Sequence, residues 1–345
     1  VADTWTSTGT NLSQTADATL SSTAPLSLAT LTTNGHDFKL ANETTDLTLT
    51  DEFTLDSGTL STQGGDLIFA DIANISSGAT LDATVLTGTA GKLEFQQGGT
   101  ASGTINVGNG TFKIGTGYAV DGTLITDSGT DWQLGTYLDL SGCTLVLGGN
   151  LALDYIITNN QTRFELAEDT TVTRNSGLTL GGVNFENYTF TLGSETTDLT
   201  IETDISNTGS FGDQTSSGSP QGTFATQTAD LTVISADAVD ITNGTTITST
   251  GGKFSFAGGI TIDGGAISLQ DTTLAVGSSL TKTGGTITLN QADLELFSDL
   301  TISSDADLAF TLLKLGNNHL DLQTVPSFTV DQELVLDNAN EKLTW

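Results

Sequence analysis

From Phe254 to Phe310 the apolar residues fall in pairs separated by one intervening residue, and the spacing of the pairs itself repeats. The pairs are Phe254/Phe256, Ile260/Ile262, Ile267/Leu269, Leu274/Val276, Leu280/Lys282, Ile287/Leu289, Leu294/Leu296, Leu300/Ile302 and Leu308/Phe310. The fifth is irregular, with a lysine in its second place. Alternation with period two is the mark of a half-buried strand. Phe254, Leu274 and Leu294 share one phase, and Ile260, Leu280 and Leu300 a second. Ile267, Ile287 and Leu308 share a third, the last slipped by one position. A chain that makes three short strands and then returns to the same phase predicts an all-β fold, a three-sided β-solenoid with about 20 residues per coil. The 345 residues would make about 17 coils, and at ~4.8 Å per strand a rod about 80 Å long.

The same signal runs upstream. Leu47 and Leu67 stand one full repeat apart, and Leu60 and Leu81 one repeat plus a single position. Further pairs include Phe38/Leu40, Phe53/Leu55, Leu93/Phe95, Phe112/Ile114, Trp132/Leu134 and Leu145/Leu147. We therefore expect residues 1–345 to form one elongated solenoid, because each coil touches only its neighbours and such a body can grow without a new core. Residues 1–33 alternate weakly and are expected as irregular first coils or a seam. Residues 154–177 fit poorly and are expected as an insertion. Residues 206–228, with four glycines and Pro220, are expected as a surface loop. Glu43–Thr48 recurs at Glu195–Thr200, and Phe38-Lys-Leu40 matches Phe190-Thr-Leu192 at the same offset. This reads as a duplication of several coils. Asn34-Gly-His36 and Asn317-Asn-His319 each precede a pair. The paired glycines 251–252, 258–259, 264–265 and 284–285 also stand just ahead of strands, where a tight corner needs positive φ. Gly265 and Gly285, one repeat apart, mark one corner recurring on successive coils.

Composition narrows the function classes. Nine Lys and Arg stand against 41 Asp and Glu, a formal charge of −32, which repels nucleic acid and anionic lipid. No apolar run reaches the ~18 residues of a membrane-spanning helix. We expect neither nucleic acid as a partner nor direct membrane insertion. Cys143 is the only cysteine and reads as a packed side chain. The chain has no methionine and begins at Val1, which we read as a processed piece of a longer polypeptide.

Candidate chemistry is thin, and each motif has a plain structural reading beside it. Outward-facing Thr261, Thr281 and Thr301 predict a threonine ladder one coil apart. Ice-binding solenoids use such ladders, but the neighbouring faces offer no second column. A polysaccharide lyase or hydrolase needs clustered carboxylates with a basic group. Arg163 and Arg174 flank Glu165, Glu168 and Asp169, the one stretch where both signs gather; a solvated ion cluster is the plain reading. His36 and His319, the only histidines, suit corner hydrogen bonding. Gly258 to Asp263 is the nearest approach to a glycine-rich calcium repeat, with Thr261 where its third glycine belongs. We assign no catalytic residues and no cofactor, and leave open only weakly bound calcium at acidic corners, with no ligands named. Exposed aromatics for sugar binding would come from Trp5, Trp132, Tyr118, Tyr137, Tyr155 and Tyr188. Asn11, Asn42, Asn74, Asn160, Asn187 and Asn243 head Asn-x-Ser/Thr triplets that a Thr-rich chain produces by chance.

Leu31-Thr-Thr-Asn-Gly-His36 followed by Phe38-Lys-Leu40, and Gly284-Gly-Thr-Ile-Thr-Leu289, resemble the degenerate repeats of large secreted bacterial β-helix proteins. Autotransporter passenger domains and filamentous-haemagglutinin-like adhesins are the nearest in style. The resemblance covers most of residues 34–338. It implies a right-handed parallel β-helix and export to the cell surface, and transfers no binding residue. The expectation is a structural segment of an extracellular fibre, sheath or adhesin without catalysis, with neighbouring segments or copies joined end to end. The alternatives are a polysaccharide-binding or polysaccharide-degrading solenoid, with glycans as partners, and a trimeric phage-type fibre.

Overall fold

Along most of the chain every third strand hydrogen-bonds to the next in a parallel ladder. That topology makes the fold an all-β parallel solenoid of about 15 turns with coils of about 20 residues. The structure, a computed structural model, describes residues 9–42, 45–84, 91–174, 176–185, 188–193, 198–201, 222–234, 238–242, 244–337 and 339–345. The turns are fewer than the chain length suggests because some coils are long, as where Leu67 pairs with Leu93 and Leu199 with Leu231.

By contacts the chain divides into two compact units, Val1–Gly149 with Tyr155–Ala167, and Asn150–Asp154 with Glu168–Trp345. In the first, one face runs from Ala18–Leu20 and Phe38–Leu40 to Thr144–Leu147 and Arg163–Leu166. The second face runs from Leu26–Leu28 to Asp131–Leu134. The third runs from Phe53–Leu55 through Tyr118–Val120 to Ile156–Ile157. The second unit repeats the plan. Its first face runs from Leu151–Ala152 to Thr286–Asn290, its second from Leu178–Leu180 to Phe328–Val335, and its third from Val239–Thr242 to Lys342–Thr344.

The strands form here because each offers apolar side chains at i and i+2, which point to one side of a pleat. Phe38, Leu40, Leu60, Phe254, Ile260 and Leu274 are all at most 1% exposed. Inside, like lies over like: Phe69 stacks on Phe95 at 4.9 Å and Phe190 on Phe224 at 5.6 Å, close to the ladder spacing. At the corners, buried hydroxyls bond to the backbone of an adjacent coil. Thr162 Oγ1 donates to the Leu140 carbonyl at 2.7 Å, Ser249 Oγ to that of Gln227 at 2.9 Å, and Thr126 Oγ1 to that of Val146 at 3.0 Å. A coil end that would leave carbonyls orphaned is thereby satisfied, which accounts for part of the Thr and Ser content.

Several expectations need revision. Residues 154–177 are not an excursion from the coils: Ile156–Ile157, Arg163–Leu166 and Thr170–Thr173 all lie in ladders. Their apolar residues are spaced irregularly because corners and strands both vary in length there, the strands from two residues to four. Of 206–228, residues 206–221 lie outside the described residues, and Gly222–Ala225 is a strand between Thr189–Leu192 and Thr245–Ser249. Residues 11–32 already carry ladder strands, with Leu26 opposite Leu47.

The phase shared by Ile260, Leu280 and Leu300 holds for one step and then slips. Ile260 pairs with Leu280, but Leu280 pairs with Ile302. A one-residue slip would turn every side chain over; a two-residue slip keeps the inward and outward sets intact. Hydrophobic spacing is blind to it. Leu308 likewise does not pair with Ile287. The seven-residue strand Leu308–Lys314 rounds a corner with a bulge after Phe310 and lays Leu313 against Leu294. The glycine corner also alternates: φ is +87° at Gly264 but +69° at Gly285, so consecutive coils turn at different members of the pair. A Cβ on Gly285 would collide with the Gly265 carbonyl oxygen, so no side chain fits there.

Candidate functional site

The outward residues of a solenoid are its only route to chemistry, since the inward ones fill the core. The threonine ladder breaks at the slip: Thr261 neighbours Thr281, but Thr281 faces Ser303 and Thr301 faces Ser279. Lys282, inward by count and only 6% exposed, lies opposite Ser304, and its Nζ reaches Asp305 Oδ1 at 2.5 Å. Register thus supplies the partner that a buried ammonium requires.

Acidic corners have a repeated task. A carboxylate just ahead of one strand accepts the backbone N–H one coil on. Asp17 takes it from Asp37 at 3.1 Å and Asp37 from Thr59 at 2.8 Å. Asp46 takes it from Asp66 at 2.9 Å and Asp66 from Lys92 at 2.8 Å. In the second unit Asp198 serves Asp230, Asp230 serves Lys253, Asp169 serves Thr189, and Asp299 serves His319. These are charge-assisted bonds to groups at strand entrances that the ladder leaves without a partner.

Both units also place one glutamate between two lysines on the second face. Glu94 accepts from Lys92 Nζ at 2.8 Å and from Lys113 Nζ at 3.0 Å, and its side chain is 9% exposed. Burial raises its pKa, but the two lysines outweigh it and hold the carboxyl below the ordinary range. Glu295 takes Lys253 Nζ at 2.7 Å and Lys314 Nζ at 3.2 Å. Its carboxyl is also held low, first by the Lys253 hydrogen bond. Lys253 crosses the fully buried, outward Ala275 to reach it.

Arg163 and Glu165 lie in the first unit, and Glu168, Asp169 and Arg174 in the second. Asp169 is occupied by its corner bond, and Arg174 Nε donates to Ser176 Oγ at 3.0 Å. Within Gly258 to Asp263, Ile260–Asp263 is a strand with both isoleucines in the core. Among the described residues no three His, Cys, Asp or Glu side chains gather as metal ligands. His36 sits at a corner, whereas His319 opens the strand His319–Thr324 and pairs with Lys342; Asn34 and Asn317 ahead of them have φ of 52° and 74°. His36 Nδ1 lies 3.6 Å from Asp17, and His319 Nε2 meets Thr344 Oγ1 at 2.5 Å. Cys143 is buried, and burial pushes its thiol up to about 12.

The aromatics divide. Trp5, Asn187 and Asn243 lie outside the described residues. Tyr118 is not at the surface: Gly99 one coil below leaves room for its ring, and its hydroxyl donates to the Ala73 carbonyl at 3.0 Å. Trp132 is half-buried, edge-on to Phe112 at 5.7 Å. Tyr188 is 37% exposed in the second unit. Tyr137 and Tyr155, 51% and 61% exposed, occupy the same outward position on successive coils of the first unit, for Leu138 donates its N–H to the Tyr155 carbonyl and pairs with Ile156. This pairing depends on corner lengths and had no signal in the periodicity.

Fold and faces together define an all-β repeat protein of the parallel solenoid class. No protein-family model matches the chain, and no match is found among curated proteins or solved structures.

Proposed function

We propose that the chain is a non-catalytic structural segment of an extracellular bacterial surface fibre, sheath or adhesin. The observation that carries this reading is how the charged groups are used: corner aspartates and glutamate–lysine straps bind each coil to the next. A ladder reinforced at its corners resists being pulled apart, and its stability grows as coils are added. The reading includes end-to-end assembly with neighbouring segments or copies. Phe328–Val335 pairs along one edge with Leu308–Lys314, and among the described residues no strand pairs its other edge. Leu334, Leu336 and Trp345 are 45%, 59% and 76% exposed there. An open edge with apolar residues is a template for a further coil, supplied by a neighbouring segment or another copy.

Electron microscopy of native material, labelled with an antibody against this chain, tests the reading. Label along continuous filaments supports it. Label on dispersed particles that release sugars from a polysaccharide contradicts it, and a stable three-chain particle in solution assigns the chain to a trimeric fibre instead.

A further inference from the structure

Each large hydrophobic residue exposed among the described residues of the first unit lies on its third face: Ile72, Tyr137, Tyr155 and Ile157, at 42%, 51%, 61% and 42%. Three of them belong to one outward column. Phe53 donates to the Ile72 carbonyl, Ala73 to that of Gly98, Tyr118 to that of Tyr137, and Leu138 to that of Tyr155. Up the face the column therefore reads Ile72, Gly98, Gly117, Tyr137, Tyr155, one rung of about 4.8 Å apart. Ile157 stands beside it, opposite Asp139.

The glycines shape the surface. A Cβ on Gly117 would collide with Cζ of Tyr137, so the ring lies down against bare backbone. A Cβ on Gly98 would meet nothing nearer than the Gly117 carbonyl at 3.2 Å. The result is an apolar strip with a side-chain-free floor between Ile72 and the Tyr137 ring.

We propose that this strip binds a polysaccharide that carries no acidic groups, its sugar rings laid on Tyr137 and Tyr155 and its chain running along the column toward Ile72. Three features favour that occupant. A pyranose ring has an apolar C–H face and a hydroxyl rim, which match the apolar body and polar tip of tyrosine. The strip is one column wide, well below the roughly 800 Å² per partner of a stable protein interface, but it suits a linear polymer. The unit's four basic residues, Lys39, Lys92, Lys113 and Arg163, all lie on the other two faces. Asp71 precedes Ile72 and Asp139 stands opposite Ile157, so acidic sugars are repelled and neutral or amino sugars are not. This binding does not depend on filament formation.

The test is depletion of the purified chain from solution by insoluble cellulose, chitin, chitosan and calcium-gelled polygalacturonate. Retention on at least one of the first three and none on polygalacturonate is expected. Tyr137→Ala/Tyr155→Ala should weaken retention at least tenfold, and Gly98→Leu, which fills the floor, should weaken it without touching either ring. Tyr188→Ala should leave it unchanged. Circular dichroism and melting of each variant establish that it is folded. Retention on none of the three, retention that survives both variants, or preference for polygalacturonate overturns the proposal. Self-association of the chain that the double variant abolishes would assign the strip to a second copy and overturn it as well.

Discussion

The two units share an interior and differ outside. Both wind three parallel faces around stacked apolar columns, and both strap the second face with one glutamate and two lysines. Glu94, however, reaches a lysine on its own rung and one on the next, and is almost out of water. Glu295, 27% exposed, reaches across an intervening coil. Exposed large hydrophobics gather on one face of the first unit. In the second they are scattered, as at Tyr188, Ile234 and Phe297, or sit on the last coil. The interior obeys a period of two that leaves little freedom, so the units cannot differ much there. The exterior is free to vary, and the differences between the units are found there.

The sharpest way to break this comparison is to exchange the rules of inside and outside. Leu280→Asp puts an unpaired carboxylate into the core and should cost several kcal/mol, about 3 or more. Thr281→Asp, one residue on and half-buried, should cost under about 1 kcal/mol. Leu81→Asp in the first unit, with Leu81 0% exposed, should behave as Leu280→Asp does. Urea unfolding measures all three, and equal tolerance of Leu280→Asp and Thr281→Asp would contradict the phase. A smaller effect is expected at the corner. Gly285→Ala meets both a positive φ and the Gly265 carbonyl, and should cost about 1–3 kcal/mol.

The straps sharpen the comparison further. Glu94→Gln should cost about 1–3 kcal/mol and Glu295→Gln about 1 or less, because the second pair is better solvated. Their pH dependence has a definite sign. Both carboxyls are held below the ordinary glutamate value of about 4.3. On acidification the unfolded chain therefore takes up their protons first. The stability they contribute is complete above about pH 4.3 and is lost as pH falls through the lower folded values. The melting-temperature gap between wild type and Glu94→Gln should narrow over that range. Asp293 runs the other way: burial raises its carboxyl, so its charge costs stability at neutral pH and protonation relieves the cost. The smallest effect is a null one. Cys143 should resist alkylation at pH 8 in the folded chain and react once urea unfolds it, since the thiol is buried and its pKa is about 12.

How much of this was legible in the sequence follows from the same contrast. The apolar pairs placed the strands, and Leu47 over Leu67, Leu60 over Leu81 and Phe254 under Leu274 could be paired by counting alone. Counting failed where coils change length, as between Leu199 and Leu231, and where register moves by two positions, as between Leu280 and Ile302. It misplaced Tyr118 because the decisive neighbour, Gly99, lies a whole coil upstream. The straps and the tyrosine column were illegible for one reason: outward contacts join residues of different coils, and their meeting depends on corner lengths that no periodicity records. Lys253 and Glu295 meet across two full coils of chain.

The register at the slip offers the most direct test of coil-on-coil stacking. Outward residues on adjacent parallel rungs stand about 4.8 Å apart, within reach of a disulfide. Cysteine pairs at Thr261/Thr281 and Thr281/Ser303 should crosslink rapidly within one chain under mild oxidation, while Thr281/Thr301 should not. Crosslinking of Thr281/Thr301 in preference to Thr281/Ser303, or failure of Thr261/Thr281, would contradict the account.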